Sequence, residues 1–169
     1  MTRSALALST LVWAAANSLA ADAYAPKDGR FSVRFPGAPR ESTAAAATPL
    51  GEAKVFTATY ATSDGDAYSA SYSDYPAGKA AAEARGKLYD GARDALKGAD
   101  GKVLAEKDVE VGPDKLPGRD LDIQKGTERV RVRLVLRGDR LHHVAVVGSP
   151  AFVTGRDAAK FLDSFELTK

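Results

Sequence analysis

The chain has 169 residues, with 24 Lys and Arg against 22 Asp and Glu, 44% hydrophobic residues and no cysteine. That is the length of one ordinary globular domain, large enough to bury a core unaided. The lack of cysteine excludes disulfides, thiolate catalysis and cysteine-held zinc, and the near balance of charge excludes the clustered basic excess of a typical nucleic-acid binder.

Arg3 precedes an apolar run from Ala5 to Ala16, about 12 residues where a membrane span needs about 20. Small residues follow at Ser18, Ala20 and Ala21. This order of charge, apolar run and small residues predicts a cleavable export signal over residues 1–21, cut after Ala20 or Ala21. The mature chain is then expected in the periplasm or outside the cell, without stable membrane insertion, since no later stretch is long and apolar enough to cross. Residues 22–29 read as a short lead-in, and residues 30–168 as a single domain.

Phe31, Val33 and Phe35 alternate with polar neighbours, as on a strand with one buried face, and the Pro36-Gly37-Ala38-Pro39 run stops it. The alanine-rich stretch from Thr43 to Thr48 fits either a poor strand or a loop. Glu52 to Thr62 and Ala67 to Tyr75 are rich in Thr, Tyr, Val and Phe around a Ser63-Asp64-Gly65-Asp66 turn, which predicts a hairpin. The period then changes. Ala81, Ala84, Leu88, Ala92 and Ala95 mark one face of a helix over about Lys79 to Lys97, with Gly91 beside that stripe and Gly98 closing it.

Lys102 to Val111 reads as a strand and Gly112 to Gly118 as a loop. Two-residue turns at Gly126-Thr127 and Gly138-Asp139 then set a three-stranded meander. The first turn places Ile123 opposite Val130, Leu121 opposite Val132, Asp122 opposite Arg131 and Asp120 opposite Arg133. The second places Leu136 opposite Leu141, Leu134 opposite His143 and Val132 opposite Ala145. One face of the meander is strongly apolar and is expected to receive the long helix. Val135, Val144 and Val146 on the other face call for partial cover as well. A short closing helix carries Ala158, Phe161, Leu162 and Phe165 at helical spacing, with Thr154 and Asp157 in the positions of a capping box.

The chemistry-bearing residues form few constellations. His142 and His143 are adjacent on a strand and point to opposite faces, so they do not share a metal ion; no metal or other cofactor is expected. Asp64-Gly65-Asp66 is a turn rather than a calcium loop. Arg129, Arg131, Arg133 and Arg137 stand at even spacing on one strand face. They read either as a partner surface, with His142 beside it, or as a solvated face neutralised by Asp120 and Asp122. No aromatics interleave with them, which speaks against single-stranded nucleic acid. Tyr60, Tyr68 and Tyr72 could line a ligand groove, or serve simply as good strand residues. No G-x-S-x-G, glycine-rich phosphate loop or H-E-x-x-H occurs. The expectation is a non-enzymatic binding or accessory domain with a protein partner in the cell envelope. The alternative is a small-molecule carrier or sensor using the tyrosine-lined sheet face.

The segments Phe31-Ser32-Val33-Arg34-Phe35-Pro36-Gly37-Ala38-Pro39, Tyr72-Ser73-Asp74-Tyr75-Pro76, Pro117-Gly118-Arg119 and Phe161-Leu162-Asp163-Ser164-Phe165 resemble those of the PsbP-like domain superfamily, which it shares with the Ran-binding Mog-type proteins. The resemblance spans about Arg30 to Leu167 and looks closest to small exported bacterial members. It implies an α+β fold, an antiparallel sheet with helices packed on its faces. It also implies a non-catalytic role, because well-studied members act by binding larger assemblies. No contact residues for a photosystem or for Ran carry over.

Overall fold

A computed structural model describes residues 23–80 and 84–169. The predicted signal over residues 1–21 and the Ala81 position of the predicted helical stripe lie outside the described residues. The remainder is an α+β fold: one seven-stranded antiparallel sheet, a two-stranded ribbon, and helices on both faces. In chain order the elements are β1 (Phe31–Ser32), β2 (Arg40–Thr48), β3 (Gly51–Ala61), β4 (Ala67–Asp74), α1 (Arg85–Lys97), β5 (Lys102–Val111), β6 (Leu116–Lys125), β7 (Glu128–Arg137), β8 (Arg140–Gly148), α2 (Pro150–Val153), α3 (Arg156–Asp163) and β9 (Glu166–Leu167). The large sheet runs β2-β3-β4-β8-β7-β6-β5, and β1 pairs with β9 in the ribbon.

The meander β6-β7-β8 has the register its turns dictate. Ile123 faces Val130, Leu121 faces Val132 and Asp120 faces Arg133, while Leu136 faces Leu141 and Leu134 faces His143. Gly126 and Gly138 each take φ 60°, and neither following residue has positive φ. This is the hairpin turn with glycine first, whose twist matches that of the strands. On one face Leu121, Ile123, Val130, Val132, Leu134, Leu136 and Leu141 form a core closed by Tyr89 of α1.

That helix differs from the sequence reading. It is regular from Arg85, and the buried residue on it is Tyr89, with Leu88, Ala92 and Leu96 half-buried. Ala95 and Gly91 face solvent. The helix is held by an aromatic wedge, which an alanine count at steps of three and four misses. The Tyr89 hydroxyl donates to the Pro117 carbonyl at 2.8 Å and accepts from the Leu136 amide at 2.9 Å. The ladder between β6 and β7 ends at Gly118 and Val135, next to a proline that has no N–H to donate. The phenol thus closes two backbone groups at the end of the ladder. The Asp139 carboxylate secures the approach to the helix by accepting from the amides of Gly78 at 2.8 Å and Ala80 at 3.0 Å.

The opposite face of the sheet carries the second core: Phe31, Val33, Phe35, Ala58, Tyr68, Ala70, Tyr72, Val135, Val144 and Val146, sealed by Val153, Ala158, Phe161, Leu162 and Phe165. Here the β1-β9 ribbon and the short helices α2 and α3 form the cover. Tyr24, placed in the lead-in by the sequence, bridges to Val33 and packs on this core, so the domain begins before residue 30. The alanine-rich stretch is a full strand, β2, nine residues long. Pro117 belongs to β6 rather than to a loop. The capping box fails as well: Gly155 is the N-cap of α3, and the Thr154 hydroxyl instead donates back to the Pro150 carbonyl at 2.7 Å. Ser149 caps the preceding turn by accepting from the Phe152 amide at 3.3 Å.

Tyr89→Phe keeps the ring in the core and removes only the hydroxyl. It strands one buried amide and one carbonyl, so urea unfolding should show a loss of about 1–3 kcal/mol. A loss below a few tenths would show that the two backbone groups find other partners.

Candidate functional site

The strand registers bring the arginines and the tyrosines of the sequence analysis to the same face of the large sheet. One row across four strands reads Arg131, Val146, Tyr68 and Tyr60. The next reads Arg133, Val144, Ala70 and Ala58, and the next Val135, His142, Tyr72 and Phe56. These are the rows covered by α2, α3 and the ribbon.

The arginines are engaged by the protein itself. Arg133 forms a two-pronged pair with Asp120 at 2.8 and 2.9 Å and donates to the Leu162 carbonyl at 3.2 Å. Arg131 faces Asp122 across the ladder, but the carboxylate is taken diagonally by Arg129, at 2.6 and 2.7 Å. Arg131 reaches the Val153 carbonyl at 3.5 Å, and Arg137 donates to the Thr168 carbonyl at 2.6 Å. Val153 ends α2, and Leu162 is the next-to-last residue of α3. Cations at those places satisfy orphan carbonyls and suit the negative end of α3. Hydrogen bonding to Asp122 and to Asp120 raises the Arg129 and Arg133 pKa values further above their usual range.

His142 is 0% exposed, so it lies beneath the surface assigned to it from sequence. Its ring sits among Phe31, Tyr72 and Phe165, at centroid distances of 5.8, 6.5 and 6.0 Å. Neither ring nitrogen has a hydrogen-bond partner. Burial, then the neighbouring Arg140, pushes its pKa down to about 3. His143 points to the opposite face, its Nε2 also buried and unpaired, and burial alone pushes it down to about 4. Both rings are therefore neutral near pH 7.

Tyr68 and Tyr72, at 5% and 8% exposed, are core residues. Tyr68 packs edge-on against Phe152 and Phe161, each at 5.0 Å. Tyr72 stacks on Phe56 at 5.1 Å, and the Arg140 guanidinium lies 3.9 Å above its ring. Tyr60 lies half-buried over Gly37, where a Cβ would come within 2.5 Å of its ring. Tyr68 and Tyr72 thus pack into the face, and the edge of Tyr68 borders a cavity of about 520 Å³ with Arg34, Phe35, Asp157 and Lys160. Arg140 itself, paired to Asp74 at 2.6 and 2.7 Å, was missed from sequence because its partner lies 66 residues away. Among the described residues no cluster of three or more metal-ligating side chains occurs.

A second accessible surface lies on the other face. There the row Leu134, His143, Ser71, Thr57 and the row Val132, Ala145, Ser69, Thr59 run from the core under α1 toward β3. The helix packs chiefly on β6, and Leu88 approaches Leu50 and Tyr75 at the end of β3 and β4. The half-sheet it leaves uncovered presents Thr57, Thr59, Ser69 and Ser71, all half-exposed and uncharged. Beside it, Thr48, Pro49, Leu50, Tyr75, Ala84, Lys87 and Leu88 line a small, mainly apolar cavity of about 220 Å³. This surface was not among the candidates drawn from the sequence. Its signal was the run of small hydroxylated residues at every second position of Ser69 to Ser73, opposite Thr57 and Thr59.

No protein-family model matches the chain, and no curated protein matches it. Among solved structures, the solution structure of cyanobacterial PsbP from Synechocystis sp. PCC 6803 superposes with a TM-score of 0.55 at 11% identity, covering 93% of this chain and 98% of that one. At that identity the likeness is one of fold.

The buried histidines set a pH dependence. Each has a folded pKa below the unfolded value of 6.5, so between pH 6.5 and about 3–4 the unfolded chain binds more protons. Stability is then full above pH 6.5 and falls as the pH drops, with a slope of up to about 1.4 kcal/mol per pH unit for each histidine. Urea unfolding at pH 7.5 and pH 5 measures it. His142→Leu should remove one histidine's share of the slope; an unchanged slope would show that His142 is protonated in the folded protein.

Proposed function

From the PsbP-like fold of this chain, we propose that it is an exported, non-catalytic binding domain that engages a protein partner through the uncovered half of its large sheet. The observation that carries this reading is the pair of rows ending in Ser71-Thr57 and Ser69-Thr59. They leave the core under α1 and cross β4 and β3 on uncharged, solvent-accessible residues, meeting Ser42 and the exposed Arg40 only at the edge strand β2. Depletion of charge at the centre of a contact patch marks protein–protein interfaces.

The other features are consistent with binding rather than turnover. His142 is buried with both ring nitrogens unpaired, and the Nε2 of His143 is buried and unpaired, whereas a general base needs an orienting partner. The arginines spend their donors on Asp120, Asp122 and the carbonyls of α2 and α3, so they serve this domain's own packing. Export rests on Arg3, the Ala5–Ala16 apolar run and the small residues at Ser18, Ala20 and Ala21. A partner in the cell envelope follows from that destination.

The tagged chain, expressed in its native host, provides the test. Mass spectrometry of the mature N-terminus should find residue 21 or 22 first. Partner captured from the envelope should fall at least tenfold with Thr57→Arg or Ser71→Arg, and should be unaffected by Lys107→Glu on the far edge. Capture indifferent to both arginine substitutions would overturn the assigned surface. An intact Met1 on the envelope-located chain would overturn the cleaved signal.

A further inference from the structure

The large sheet ends in two edge strands of opposite character. At one end β5 carries Lys102, Glu106, Lys107, Asp108 and Glu110, and its pairing with β6 is interrupted by a bulge between Val103 and Ala105. Charges and bulges are the usual guards against unwanted strand addition. At the other end β2 is nine residues long, above the usual five or six. From Ser42 to Thr48 it contains no charge and no proline. Its residues are exposed, with Ala46 and Thr48 half so. Among the described residues only β3 pairs with it, so one side of its backbone offers free N–H and C=O groups.

We infer that β2 is a dimerisation edge, and that its occupant is β2 of a second copy of this chain, joined antiparallel about a two-fold axis at Ala45. This edge is separate from the uncovered face of β3 and β4 and goes beyond its reading. Ala45 is the midpoint of the uncharged stretch. An axis there sets Ser42 against Thr48, Thr43 against Ala47 and Ala44 against Ala46, so every pair is small and neutral. Shifting the axis toward the N-terminus brings Glu41 into the ladder. Shifting it toward the C-terminus brings in Pro49, which cannot donate.

A foreign extended peptide is the less suited occupant. Strand addition takes its specificity from pockets for alternate side chains, and the methyl groups of Ala44 to Ala47 build none. Symmetry supplies the selectivity instead. The joined sheet is closed, because both of its outer edges are then the charged, bulged β5, and growth into a fibre is blocked.

Sedimentation velocity of the full chain from micromolar to near-millimolar concentration tests this. The expected result is a reversible monomer–dimer equilibrium, with hydrogen-exchange protection of residues 42–48 that grows with concentration. Ala45→Glu and Ala45→Lys should each weaken the dimer at least tenfold, and an equimolar mixture of the two should restore it. Ala45 stands opposite Lys54 in its own sheet, so the glutamate variant gains a cross-strand partner and keeps the fold. A wild-type chain that stays monomeric overturns the inference, as does a dimer indifferent to both substitutions. Protection of residues 42–48 that is independent of concentration also overturns it, because another part of the same chain would then cover the edge. If the dimer is absent while partner capture still depends on Ser71, only the edge assignment fails. If the dimer forms while capture ignores Ser71, only the uncovered-face assignment fails.

Discussion

The alternation along β7 is the constraint on which the rest of the molecule depends. Val130, Val132, Leu134 and Leu136 point to one face, and Arg129, Arg131, Arg133, Val135 and Arg137 to the other. A one-residue slip would exchange the two sets and put guanidinium groups beneath α1. Glycine-first turns on both sides of the strand prevent that slip. With β7 fixed, β6 and β8 follow, and the sheet must be covered twice: once by a long helix over aliphatic residues, once by smaller elements that can accommodate arginines.

The second cover shows how charge is used inside this fold. α2 and α3 are four and eight residues long, and helices that short gain little from their own hydrogen bonds. Aromatic burial attaches them, chiefly Phe161 and Phe165 against Phe31, Phe35 and Tyr68. Arg131 and Arg133 then reach past the core to the carbonyls of Val153 and Leu162, while Asp120 neutralises Arg133 from the neighbouring strand. An evenly spaced arginine row thus reads as a ligand surface in one dimension and works as a clamp in three.

The parts legible in the sequence were those governed by local rules. The hairpin turns, the alternation on β6, β7 and β8, and the opposed directions of His142 and His143 all follow from period and turn chemistry. The parts that were not legible depend on distant partners. Tyr89 carries no local mark beside the alanine stripe because its role is set by Pro117 and Leu136. Nothing local to Tyr68 and Tyr72 shows Phe152, Phe161 and Phe56 arriving against their rings. His142 was placed on the surface because strand alternation gives its direction, but not what the closing helix and the Phe31 segment will lay over it. The alanines of β2 have weak strand propensity, and their strand exists because β3 pairs along its whole length.

The contrast between the two ends of the same sheet gives the uncovered surfaces their meaning. Strand residues that simply face water are ordinarily charged, and β5 follows that rule. β3 and β4 do not: beyond the reach of α1 they carry threonine and serine, which tolerate water and suit a strand but spend no charge on solubility. β2 continues the pattern to the edge with Ala44 to Ala47, after Arg40 and Glu41 at its start. A single sheet that guards one end and leaves the other neutral, smooth and small has been built with two kinds of surface. The neutral end is where contact with another chain costs the least desolvation.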